Sequence, residues 1–116
     1  MKKPIYSSTF TLMLPMKQAF ILCVNHMNFV SNHKLKEWSP ENTESQTVAV
    51  QLRMPWKFIT EALNYNLEKI NDSETKVILT STPSLPISSY DFPATKKVLH
   101  YLRQHKAFKD NEKNRP

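Results

Sequence analysis

Glycine is absent from all 116 residues, where ordinary usage near 7% would supply about eight. That excludes every motif in which the backbone must pass through positive φ or press against a phosphate. The G-x-x-x-x-G-K-[ST] phosphate loop, the G-x-G-x-x-G dinucleotide turn, the G-x-S-x-G nucleophile elbow and the standard calcium loop all go. Cysteine is nearly absent as well. Cys23 stands alone, so no intrachain disulfide forms. Its place in the apolar run Ala19–Val24 predicts a buried, inert thiol and fits a reducing compartment. Long hydrophobic runs are missing, the longest spanning six residues, whereas a membrane-spanning helix needs about twenty. Lys17 and Gln18 split Phe10–Met16 from Ala19–Val24, which argues against a secretory signal. A mitochondrial presequence is disfavoured by the lack of Arg before position 53 and by Pro4 and Pro15. The expected location is cytoplasmic or nuclear.

What is present is charge and a modest core. Hydrophobic residues make up 40% of the chain, and Lys and Arg outnumber Asp and Glu by 16 to 10. Only Arg53, Arg103 and Arg115 are arginine. Lysine is a point charge without the guanidinium fork, so this composition suits diffuse attraction to phosphate or acidic surfaces more than the reading of base edges. The charge is also segregated. Residues 1–36 carry no acid, residues 37–74 are net acidic, and residues 75–116 are net basic again. Such a chain neutralises part of its own charge on folding, so the formal +6 overstates any one patch.

Periodicity predicts the elements. Thr9–Leu14 alternates, with Phe10, Leu12 and Leu14 on one side, as a half-buried strand does. Ala19–Val24 reads as a central strand or as the start of a helix; Asn25, Asn28 and Asn32, poor helix residues, favour the strand. Thr47–Met54 is the cleanest strand, with Val48, Val50, Leu52 and Met54 on one side. Pro55 suits the first position of a helix, and Trp56, Ile59, Leu63, Leu67 and Ile70 recur at helical spacing. That predicts a helix over Pro55–Asn71 with Glu61 and Glu68 on its wet face. Asn71-Asp72-Ser73 is a turn, Lys76–Thr80 a short strand, and Thr82–Ser89, with Pro83 and Pro86, neither helix nor inner strand. A last helix is expected from Pro93 to about Phe108, with Asp91 near its positive end. The predicted fold is α+β: a small mixed or antiparallel sheet of about four strands with two helices packed on one face. Residues 1–108 form a single domain, and 109–116 a frayed basic tail.

Reactive constellations are sparse. Cys23, His26 and His33 are the only grouping of metal-ligand types, and one cysteine without a second pair does not make a zinc site. His100 and His105 fall about 140° apart around a helix and share no ligand face. No catalytic residue, metal or cofactor is expected. The last helix says more. Lys96, Lys97, His100 and Arg103 gather on one side, opposite Ala94, Val98, Tyr101, Leu102, His105 and Phe108. A basic amphipathic helix suits phosphate or an acidic partner.

The run T-V-A-V-Q-L-R-M-P-W-K-F-I-T-E-A-L, from Thr47 to Leu63, resembles the first half of a ribbon-helix-helix DNA-binding protein. That resemblance implies a dimeric ribbon that places Thr47, Gln51 and Arg53 in the major groove. It covers about 24 residues and ends where the family requires a second helix, because Thr75–Pro83 is β-branched and broken by proline. The leading expectation is a non-enzymatic binding or regulatory protein that contacts nucleic-acid phosphate or an acidic partner through Lys96, Lys97, His100 and Arg103. The rival is a protein–protein adaptor or homo-oligomer subunit, joined through Trp38 and the helix flank at Phe58, Ala62 and Tyr65.

Overall fold

The structure, a computed structural model, describes residues 4–25, 44–53, 59–87 and 89–109. The elements run β1 (Tyr6–Leu12), α1 (Met16–Asn25), β2 (Ser45–Arg53), β3 (Thr60–Asn71), β4 (Glu74–Pro83), α2 (Pro93–Arg103) and β5 (Phe108–Lys109). The fold is α+β. Its antiparallel sheet has five strands rather than about four, in the order β2-β3-β4-β1-β5.

The β3–β4 hairpin is the centre of the sheet. It reverses at Asn71-Asp72-Ser73, where Asn71 Oδ1 accepts the backbone N–H of Ser73 at 2.8 Å and its hydroxyl at 3.1 Å. This side-chain turn replaces the glycine that a tight hairpin usually takes. Across the sheet, Val48 pairs with Tyr65, Tyr65 with Leu79, and Leu79 with Ser8. All four are buried. The alternate positions Thr47, Asn64, Asn66, Glu68, Lys76 and Thr80 are half-buried or exposed, as a sheet with one face in the core requires. Buried residues of α1 and α2 join the apolar strand positions in a single cluster that includes Phe10, Phe20, Leu63, Leu79, Val98 and Leu102.

Three expectations are corrected. First, the helix expected over Pro55–Asn71 is replaced by β3 from Thr60 onward. Leu63 and Leu67 are four apart, an even number, and so share a side in a strand as well as in a helix. The deciding residues are Tyr65, which is fully buried, and Ile70, which was expected inside and is 49% exposed. Asn64 and Asn66, weak helix formers, take the outer positions of the strand, where Thr47 Oγ1 donates to Asn66 Oδ1 at 3.1 Å. Met54, Pro55, Trp56 and Phe58 lie outside the described residues. The likeness to a ribbon-helix-helix protein fails at the same point, because β2 pairs with β3 of its own chain.

Second, Ala19–Val24 is helical, within α1. Pro15 opens it, its carbonyl accepting the Ala19 N–H at 2.9 Å. Met16, Ala19, Phe20 and Cys23 fall on one buried stripe while Ile21 is exposed. Asn25 is the last residue of α1, and Asn28 and Asn32 lie outside the described residues. Third, α2 stops at Arg103, and Phe108 enters β5 instead of extending the helix. β1 begins earlier than expected and β4 is longer, reaching Pro83, which the strand tolerates as its last residue. Lys109 belongs to β5, and 110–116 lie outside the described residues.

Leu63 is wholly inaccessible at the sheet centre. Leu63→Ala should lower the unfolding free energy by about 2–5 kcal/mol in urea titrations. A loss below about 0.5 kcal/mol would mean that this side of β3 does not face the core.

Candidate functional site

The site is built on α2, and α2 is built on Glu61. Phe92 precedes the helix at φ 55°, ψ 56°, in the left-handed region, and is the only non-glycine with positive φ among the described residues. That backbone costs about 1–2 kcal/mol and is held by packing. The Phe92 ring lies 5.5 Å from the Tyr6 ring and 5.0 Å from the Tyr90 ring, centroid to centroid. Phe92 offers no side-chain cap. The donors of the first turn are satisfied from elsewhere. Pro93 has no N–H, Ala94 N–H donates to Glu61 Oε2 at 3.0 Å, Thr95 N–H to Glu61 Oε1 at 2.7 Å, and Lys96 N–H to the Phe92 carbonyl at 2.9 Å.

Glu61 therefore caps the helix from the neighbouring strand. The same carboxylate accepts the Tyr90 hydroxyl at 2.6 Å and the Thr95 hydroxyl at 2.5 Å. Ser81 Oγ stands 2.7 Å from Thr95 Oγ1. With the one Thr95 proton committed to the carboxylate, Ser81 is the donor in that pair. Glu61 is 1% exposed, and four donors occupy its acceptor positions. A buried carboxylate is tolerable on these terms, since charge-assisted bonds and the positive end of the helix offset its desolvation. Tyr90 is pushed above its ordinary pKa, first by burial, then by its bond to Glu61 and the negative charges of Glu61 and Asp91.

The expected solvent position of Glu61 is thus corrected. In a strand, Glu61 and Glu68 are an odd number of residues apart and take opposite faces; Glu68 is outside and Glu61 inside. Asp91, expected at the helix start, is exposed. The available signal was that Glu61 continues the alternation of Leu63, Tyr65 and Leu67.

The far side of α2 carries Lys96, Lys97, His100 and Arg103, all exposed, while Ala94, Val98, Leu99 and Leu102 are buried. The structure brings these four expected residues to one solvent side. Gln104 Nε2 and His100 Nε2 are 2.7 Å apart. Tyr101, expected inside, is 44% exposed, its ring edge-on to His100 at 6.4 Å. His105 is half-buried.

Of the other expected surface, Ala62 is half-buried. Tyr65 is fully buried, and its hydroxyl has no hydrogen-bond partner among the described residues. Burial, then the nearby Cys23, holds the phenol well above its ordinary range. Trp38 and Phe58 lie outside the described residues, as do His26 and His33. Cys23 is buried, and desolvation pushes its thiol up to about 12. Among the described residues no group of three His, Cys, Asp or Glu side chains could hold a metal ion. No described helix is long and apolar enough to cross a membrane.

No family model and no curated protein matches the chain. Among solved structures, the ZhuI aromatase/cyclase of Streptomyces sp. R1128 is similar at 11% identity and a TM-score of 0.35, over 86% of this chain and 84% of that one.

The buried groups make two effects measurable. Glu61→Ala leaves the Ala94 and Thr95 N–H groups without an acceptor and should cost about 3–5 kcal/mol in thermal and urea unfolding. A loss under about 1 kcal/mol would deny Glu61 the capping role. The second concerns alkaline pH. Cys23 ionises from 9.0 upward in the unfolded chain but only near 12 when folded, and Tyr65 is shifted the same way. The folded state therefore holds more protons across that window. The stability from these groups is complete below about pH 9 and is lost as pH climbs toward the folded values. Melting temperatures should decline above about pH 9, with a shallower first decline in Cys23→Ala.

Proposed function

We propose that this is a non-enzymatic binding or regulatory protein whose α2 surface holds nucleic-acid phosphate. The observation that carries this reading is the common exposure of Lys96, Lys97, His100 and Arg103 on one side of α2, while the other side is buried and the first turn is tied to Glu61. Both helices sit on the apolar face of the sheet in this reading, with the basic side of α2 outward. Three permanent cations within two helical turns create a local positive potential that attracts a phosphate backbone. Two of the three are lysines, which position a partner without reading its bases, so binding is indifferent to sequence. Such a partner places the protein in the cytoplasm or nucleus. Of the residues on which the adaptor reading rests, Tyr65 is buried and Ala62 half-buried, so the exposed basic side of α2 is favoured.

Changing Lys96, Lys97 and Arg103 together to Gln should weaken binding to a labelled oligonucleotide. The slope of log K against log salt should fall by about 0.7–0.9 for each phosphate no longer neutralised, with the domain still folded because all three side chains are exposed. Fluorescence anisotropy at two salt concentrations measures this. If the wild-type protein does not bind at low salt, or the triple variant binds equally well, α2 is not the binding surface.

A further inference from the structure

One ring nitrogen takes part in closing the turn that follows α2. His105 N–H donates to the Leu102 carbonyl at 3.1 Å, and Phe108 N–H to the His105 carbonyl at 3.0 Å. Within this turn, Ala107 N–H donates to His105 Nδ1 at 3.0 Å. The same peptide segment is held from the other side, Met13 N–H donating to the Ala107 carbonyl at 2.8 Å. Immediately afterward, Phe108 and Lys109 pair with Leu12 and Thr11 of β1. The Phe108 ring lies 4.7 Å from that of Phe10, which is fully buried. β5 is two residues long, so the Ala107 anchors are a large share of what keeps it in place.

A backbone N–H is a donor and nothing else. Nδ1 facing it therefore carries no proton, and the proton of the neutral ring is on Nε2. In the imidazolium both nitrogens are donors. Protonation would then set one N–H against another and remove the acceptor on which Ala107 depends.

We propose that His105 is a pH-sensitive latch on β5. When neutral, its Nδ1 fixes the Ala107 peptide and docks β5 against β1. When protonated, it lets go, uncovering the β1 edge at Thr11–Leu12 and the ring of Phe10. The charged groups of these elements are all basic: Lys96, Lys97 and Arg103 on α2, which also carries the imidazole of His100, Lys106 in the turn, Lys109 on β5 and Lys17 on α1. β1 contributes no charge, its one titratable group being the Tyr6 phenol, and α1 adds only the Cys23 thiol. None of these elements carries a carboxylate to hold the imidazolium in place. The latch is independent of the reading of α2 as a phosphate surface.

The test is amide exchange by nitrogen-15 NMR on the full chain, from neutral pH to about pH 5, for the wild type and His105→Asn. Asparagine places a side-chain carbonyl two residues before the same N–H, as in an Asx turn, and keeps an acceptor at every pH. In the wild type, protection of the Ala107 and Met13 amides should fall about tenfold as the His105 ring nitrogens report protonation. Leu79, at the sheet centre, should keep its protection. His105→Asn should hold Ala107 throughout. The latch is refuted if wild-type Ala107 is indifferent to ring protonation, if Leu79 loses protection in step with it, or if the Asn variant opens equally. Should that variant not fold, ring titration and Ala107 protection in the one wild-type sample still decide.

Discussion

The carboxylate of Glu61 joins four parts of the chain at one buried point: β3, which carries it, the start of α2, the loop at Tyr90, and β4 through Thr95 and Ser81. A buried carboxylate costs several kcal/mol unless its oxygens are bonded, and a helix start leaves N–H groups that need acceptors. Each solves the other's problem. Because Ala94 and Thr95 are both tied to one group, the rotation of α2 about its axis is fixed at its first turn. The inward set of Ala94, Val98, Leu99 and Leu102 and the outward set of Lys96, Lys97, His100 and Arg103 follow from that anchor. The basic side is as well defined as the capping bond beneath it.

A chain with no glycine still has to turn, and here side chains stand in. Asn71 Oδ1 closes the β3–β4 reversal, and His105 Nδ1 closes the turn into β5. Phe92 accepts left-handed backbone under the rings of Tyr6 and Tyr90. Each device ties a conformation to the chemistry of a particular group. A glycine turn would be indifferent to pH; a turn closed by an imidazole is not.

The α+β class, the β2 strand, the turn at Asn71 and the basic side of the last helix were legible in the sequence, since each rests on a local pattern. The segment from Thr60 to Asn71 was not. Leu63 and Leu67 satisfy both periods, and the choice between them lay with Tyr65, whose burial comes from its partners Val48 and Leu79 on other strands. Reading that segment as a helix turned Glu61 outward and hid the helix cap, because an anchor made between residues 33 and 34 positions apart has no local signature. It also put Tyr65 at a surface, where the structure buries it. The end of α2 was missed for a similar reason. His105 and Phe108 fit the helical stripe by spacing, yet the β1 edge captures Phe108.

The central claim is that the outward side of an α2 fixed by Glu61 is where this protein meets a polyanion. The most direct measurement is a nitrogen-15 shift map of the folded chain titrated with a single-stranded oligonucleotide at low salt. Perturbations confined to the backbone amides of Lys96, Lys97, His100 and Arg103 and their neighbours on α2, reversed by added salt, are the predicted result. Perturbations centred on the outer positions of the sheet at Asn64, Asn66 and Thr80, or none at all, would contradict it.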